Sequence, residues 1–572
     1  MHSTSSEKTS SRIIAIGLAT VTIAVFTQSV TDPVNATKLF LLGGFAFAAL
    51  GAASRNLSIS NLKNHRIPMI AIVFFLLAAV STLLASKAPF TQSLYGVYGR
   101  NNGFILYLLL AFIFISMLLI KTQSLFTRVL VALAVAGITN VAYALWVLAF
   151  GDFIGWSNPY GNLLGTLGNP NFIGSFFGMF SALLFAYLLA PSSTKIIRVS
   201  SFLLLPLVFL GIIQSHAVQG KVLFITGFTI ATFYWVWGRF KNLTVSLSYL
   251  AVLVIGFVVA LLGTLQKGPL SALLYKETVS LRGEYWYSGW KTGLANPIFG
   301  AGFDSLGDWY RRSRRESALT LPGVDTVINA AHNVYMDMFA FGGWPLFISY
   351  VVIVIVVIIS IVKFTIRNSK FDPVFVSLTG VWLCYQLQST ISINQIGLAI
   401  WGWAFGGAII AYEVNDSKRL SNEGSSENPR GRTAKKSKQS SSSAVISPGL
   451  VAGLASALGL ILTVPPLSAD IQWRSAQDSQ SAKLTEATLQ PSYLNPMSTF
   501  KFITVVGVLE TNDLKDLAHT YGLKAVAFNP DSYEAWRGLY RLSNSTEEER
   551  ALALLNMKRL DPLNPNLGVV DR

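Results

Sequence analysis

Long apolar runs separated by short polar connectors recur from Ile13 to Val464, and their length decides how they are read. Eighteen or more apolar residues suffice to cross a hydrocarbon layer as a helix. The pattern predicts about thirteen spans, beginning near Ile13, Lys38, Ile67, Phe104, Val129, Phe172, Val199, Val222, Val245, Trp344, Val374, Ile396 and Val445. An all-α, polytopic helical membrane protein is therefore expected. Two stretches interrupt the pattern. Residues 265–331 form a long polar loop, and residues 413–444, rich in Ser, Lys and Arg without apolar periodicity, read as a disordered linker. The linker separates a transmembrane domain, 1–412, from a last span, 445–466, that leads out through Pro465 and Pro466. The first run has a weakly basic approach and no small-residue cleavage site, so it reads as a retained span.

The remainder, 467–572, carries a weak repeat whose units close at Pro491, Pro530 and Pro562. Ala535, Trp536, Leu539 and Leu542 share one helical face inside it. A period in the thirties with a helix-ending Pro and an internal Trp points to tetratricopeptide-like helix pairs; the alternative is an irregular helical cap. Either form offers a docking surface for a protein partner.

Charge sets the orientation. Lys and Arg gather at Arg55, Lys63 and Arg66, at Lys121 and Arg128, at Lys195 and Arg198, at Arg239 and Lys241, and at Lys363, Arg367 and Lys370. These loops fall on one side when the N-terminus is cytoplasmic, as the positive-inside rule requires. The polar loop 265–331 and the C-terminal domain then lie outside the cell membrane. Over 572 residues the net charge is +16, yet only 13% of residues are charged and mean hydropathy is +0.50. Bases in short loops beside apolar runs serve orientation and lipid headgroups, so nucleic acid is not an expected partner. Cys384 is the single cysteine and lies in an apolar run, which leaves no disulfide framework or thiolate metal site.

Chemistry is expected where polar residues concentrate. Arg282, Trp286 and Trp290 recur at helical spacing, with Ser280 placed to cap the helix and Gly293, Asn296 and Pro297 to end it. One face then offers a guanidinium and two indoles. It reads either as an anchor at the membrane interface or as a diphosphate grip with aromatic platforms for sugar or lipid. Gly300 and Gly302 flank a turn without nucleotide-binding context. Asp304 and Asp308, one helical turn apart, read as a solvated face rather than a metal pair. Arg311, Arg312, Arg314 and Arg315 form a cationic run that is either a solvated surface or an attractor of polyanionic substrate. His332, followed by Asn333, heads a helix at the water-membrane junction, where an imidazole suits proton transfer.

The sequence Arg282-Gly-Glu-Tyr-Trp286, then Asn296-Pro-Ile-Phe-Gly-Ala-Gly302, His332-Asn333, and Gly342-Gly343 before a span resembles the O-antigen ligase family, which also includes repeat-unit polymerases and protein O-oligosaccharyltransferases. The loop around Asn169-Pro170-Asn171 is similar to the family's outward loop before the sixth span. The resemblance implies inverting, metal-independent glycan transfer, with no cofactor, from a polyprenyl diphosphate carrier to a lipid, wall-polymer or protein acceptor. It implies that Arg282 binds diphosphate and His332 is catalytic; Trp286, Trp290, Gln219 and Asn333 are further expected substrate contacts. Relatives carry an Arg in a Ser-Arg-Gly motif at the eighth span. Here Gln219 stands in its place, which leaves Lys221, Arg100, Arg311, Arg312, Arg314 and Arg315 as candidate replacements. A flippase of lipid-linked glycans would share the spans, but transporters place ionisable groups near the bilayer midplane, where this chain has few. A scaffold would explain the C-terminal domain and not the loop. A wall polymerase of the shape and elongation type would need an outward acidic residue that is not apparent.

Overall fold

The computed structural model describes residues 4–156, 158, 161–264, 266–274, 277–425 and 447–567. The fold is all-helical, without a strand among the described residues; Ser492 and Asn495 form an isolated bridge. Among the described residues, eight helices are long and apolar enough to cross a membrane: Asn35–Asn56, Arg66–Ala85, Gln123–Phe150, Pro170–Leu189, Lys195–Gln214, Val334–Arg367, Ile396–Asn422 and Pro448–Ser479. Phe104–Leu118 and Thr244–Gly256 are shorter apolar helices. Ser5–Ile23, Val218–Phe240 and Pro373–Ser389 occupy the other expected positions. The protein is a multi-pass helical membrane protein.

Helix starts follow local chemistry. Thr4 and Glu7 form a capping box, and Asn169, Asp372 and Ser447 each cap a helix whose next residue is Pro. Lys38 is fully buried, and its ammonium donates to the carbonyls of Val21, Thr22 and Ala24 at 2.7–2.9 Å. It satisfies the end of the first helix, which in lipid has no water to turn to.

Two expected boundaries are corrected. The helix Ile396–Ser425 runs past 412, because Arg367 holds Glu413 at 2.8 Å and Asp416 at 3.1 Å. The rest of the expected linker, 426–446, lies outside the described residues. The last helix, Pro448–Ser479, continues through Pro465 and Pro466. Proline at 465 removes the donor for the Ile461 carbonyl, and the Tyr493 hydroxyl supplies one instead. Gly43 and Gly459 let this helix lie against Asn35–Ala53, where a Cβ on either would strike the other helix.

The C-terminal domain comprises two helix hairpins, Thr499–Thr511 with Lys515–Phe528 and Tyr533–Arg541 with Glu547–Leu560. Ala535, Trp536, Leu539 and Leu542 are all buried in its core. It is docked on the same end of the bundle as the long polar loop, which is itself folded. That loop is fixed by backbone pairing: Ala301 and Gly302 donate to the carbonyls of Ala340 and Phe341 at 2.9 and 3.0 Å, and Trp344 donates to Pro297 at 2.8 Å. Gly300 at φ +69° and Gly343 at φ +60° permit the approach, since a Cβ on Gly300 would lie on the Phe341 carbonyl. Gly343 also breaks Val334–Arg367 into a short head and a long span.

Gly300→Ala should therefore cost about 2 kcal/mol or more through strain and clash. Thermal unfolding in detergent would show a lowered midpoint, whereas Gly453→Ala, whose Cβ meets nothing within 4 Å, should leave it unchanged or raised. Equal midpoints for the two variants would contradict the docking role.

Candidate functional site

The helix Glu277–Ala295 crosses the head of Val334–Arg367 at two glycines. A Cβ on Gly289 would stand 3.1 Å from the Ala331 Cβ, and one on Gly293 would enter the Phe339 ring. Arg282 and Tyr285 lie on the same face, two turns and one turn before Gly289, so the close crossing delivers them to His332. The Tyr285 and His332 rings are 5.6 Å apart at 35°. The helix starts ahead of Ser280, which is therefore inside it rather than a cap.

His332 is held in the left-handed region, at φ +52°. That is an uncommon state for a residue with a Cβ, and its neighbours enforce it. Asn333 caps the next helix by accepting from the amides of Tyr335 and Met336 at 3.0 and 3.2 Å, and Asp337 accepts from the amide of Ala331 at 2.8 Å. Burial, and then the charges of Arg282 and Arg100, lower the His332 pKa to about 4. The imidazole is neutral at neutral pH. Burial also lowers Arg282 from its ordinary value, opposed by Tyr285.

Arg100 reaches this centre from the turn between Tyr95 and Phe104. Its guanidinium pairs with Asp304 at 2.9 Å, and its Nε is buried without a hydrogen-bond partner. Asp304 also accepts from the amide of Val97 at 2.8 Å. The solvated face expected of Asp304 and Asp308 is corrected: Asp304 is buried, and Asp308 is half-buried and held by hydrogen bonds. Burial raises Asp304, opposed by Arg100 and by the amides of Val97 and Asn102. It raises Asp308 too, opposed by hydrogen bonds from Gln92 at 3.1 Å and Asn529 at 3.2 Å.

The structure thus brings together His332, Arg282, Arg100 and Tyr285. Trp286 and Trp290 remain 37% exposed, with the Trp290 ring tilted against Phe339 at 4.8 Å between centroids. Gln219 turns away to the carbonyl of Asn171, and Lys221 is exposed. Arg311, Arg312 and Arg314 of the cationic run face the C-terminal domain. Arg314 pairs with Asp561 at 2.7 Å, Arg311 with Asp561 at 3.1 Å and Glu534 at 3.0 Å, and Arg312 with Asp531 at 3.0 Å. Arg315 lies over the Tyr287 ring at 3.9 Å, beside Glu284 at 3.7 Å. Tyr285 and the C-terminal carboxylates escaped the sequence reading, and Asp304 was read there as solvated. Only the motif Arg282-Gly-Glu-Tyr hinted at Tyr285, and nothing local marked the carboxylates.

Residues 203–351, roughly a quarter of the chain, match the family model described as O-antigen ligase. The segment contains Arg282 and His332 and supports the resemblance read from the motifs. No curated protein matches the chain.

The cap assigns Asn333 a structural task. Asn333→Ser should keep stability and Asn333→Ala should lose about 1 kcal/mol, read as the thermal midpoint in detergent. Equal stability of the two variants would return Asn333 to the substrate contacts.

Proposed function

We propose that this membrane protein of O-antigen ligase type moves a glycan en bloc from a polyprenyl diphosphate to an acceptor hydroxyl at the extracytoplasmic face. The observation that carries the reading is the convergence of Arg282 and Arg100 on His332, within and beside the matched segment. The positive-inside count supports placing this end outside the membrane. A repeat unit as acceptor would make the same chemistry a polymerisation.

In the proposed step the acceptor oxygen attacks the anomeric carbon opposite the diphosphate, inverting that centre. The acceptor proton passes to a ring nitrogen of His332, and the electron pair of the breaking C–O bond leaves on the diphosphate. Arg282 and the free edge of Arg100 offset the negative charge in a low-dielectric setting. Trp286 and Trp290 offer exposed rings to sugar or isoprenoid. The same two cations that hold the leaving group depress the base. When a diphosphate neutralises them, their effect on His332 diminishes and its proton affinity rises, so donor binding strengthens the base before the acceptor reacts.

Transfer from a purified lipid-linked glycan, assayed with chelator present, should fall by about 10² or more in His332→Ala. Arg282→Ala should lose a similar factor, with poor recovery in Arg282→Lys because the fork geometry is gone. Activity like wild type in these variants would sink the assignment. The pH profile supplies a separate check. With His332 near 4 in the free protein, kcat/KM should lose activity only below about pH 4, as the base is protonated. The acid limb of kcat, which reports the donor complex, should lie at higher pH; coincident limbs would reject the coupling.

A further inference from the structure

The C-terminal domain touches the polar end of the bundle at two places, and the Arg100–Asp304 pair lies between them. At the first, Asp561, itself fully buried, holds the guanidiniums of Arg311 and Arg314, which are 3% and 0% exposed. Asn529 donates to Asp308. These contacts clasp the short helix Leu306–Ser313, whose chain enters directly from Asp304. Asn529 and Asp561 both immediately precede the Pro that closes a hairpin, so the repeat period itself sets their common direction. At the second, the Tyr98 hydroxyl donates to Asp470, its ring stacks on Phe500 at 5.0 Å and 3°, and Thr91 donates to the Met497 carbonyl at 2.8 Å. These contacts clasp the turn that carries Arg100.

We propose that the C-terminal domain is a positioning element of the transfer site, and that Asp561 and Tyr98 act by holding Arg100 where it meets the donor diphosphate. The inference rests on the donor reading above. The energetics support a rigid grip. Removing one partner of a buried charge network strands the others without solvent, whereas exposed ion pairs contribute little. A domain that served only to recruit an external partner would have no need to bury Asp561 against two arginines of the loop. Arg100 is itself suited to be the residue held: Asp304 takes one terminal nitrogen of its guanidinium, and its Nε has no partner.

The test is binding of undecaprenyl diphosphate to the full-length protein in nanodiscs, for wild type, Arg100→Ala, Asp561→Ala, Tyr98→Phe and the double variant Arg100→Ala with Asp561→Ala. Asp561→Ala and Arg100→Ala should each raise Kd about tenfold, and the double variant should bind no more weakly than Arg100→Ala alone, because positioning has nothing left to position. Tyr98→Phe removes one hydroxyl and keeps the ring, so it should give a smaller loss in a protein that still folds. Wild-type affinity in both Asp561→Ala and Tyr98→Phe, or multiplied losses in the double variant, would overturn the inference. Arg282→Ala separates the two levels: unchanged binding there overturns the donor reading, whereas lost binding there with intact Asp561→Ala affinity overturns only the positioning role.

Discussion

A buried cation has to be paired, and the polar end of this protein is organised by that requirement. Arg100 lies 15% exposed against a fully buried Asp304, in a region where neither charge can be left to water. Asp304 cannot move without releasing the amide of Val97, and the turn at Val97 carries Tyr98 and Arg100. On the other side of Asp304 begins the helix whose arginines are paired with the C-terminal domain. The charge balance of one pair therefore extends to structure more than two hundred residues away in the chain.

The glycine and asparagine motifs serve geometry first. Gly300 and Gly343 allow two backbone segments to meet, and the meeting fixes the head of Val334–Arg367 against the loop. Asn333 starts that helix and leaves His332 in the left-handed state immediately before it. An imidazole on a free loop would spend its time in many rotamers. Here backbone, cap and the Asp337 carboxylate hold its position, while Gly289 sets the separation from Arg282 and Tyr285.

Much of this was legible in the sequence because it is written locally. Apolar runs locate helices, His332 is read at the head of one, and Gly300 to Gly302 announce a turn. The misread features depend on partners distant in the chain. Arg311 and Asp561 are 250 positions apart, so a dense cationic run looked like a surface until its counter-charges were placed beside it. Asp304 and Asp308 looked solvated for the same reason. Pro465 and Pro466 looked like a helix end because the Tyr493 hydroxyl that serves the orphaned carbonyl lies outside that helix. Local pattern shows what a segment prefers; burial of its charged and polar groups is decided by what packs on it.

That distinction bears on how the proposed chemistry is controlled. Two guanidiniums near an imidazole are a poor arrangement for a base acting alone, since each disfavours the proton it must accept. They are a good arrangement for a base that should act only once an anion is present. A diphosphate between Arg282 and Arg100 reverses the local field, and burial, which weakened the base, then enlarges the effect of that reversal because little solvent screens it. The positioning of Arg100 thus bears on both halves of the reaction, leaving-group stabilisation and proton acceptance. A small displacement of its turn would weaken both at once, which gives a physical reason for gripping that turn from two sides.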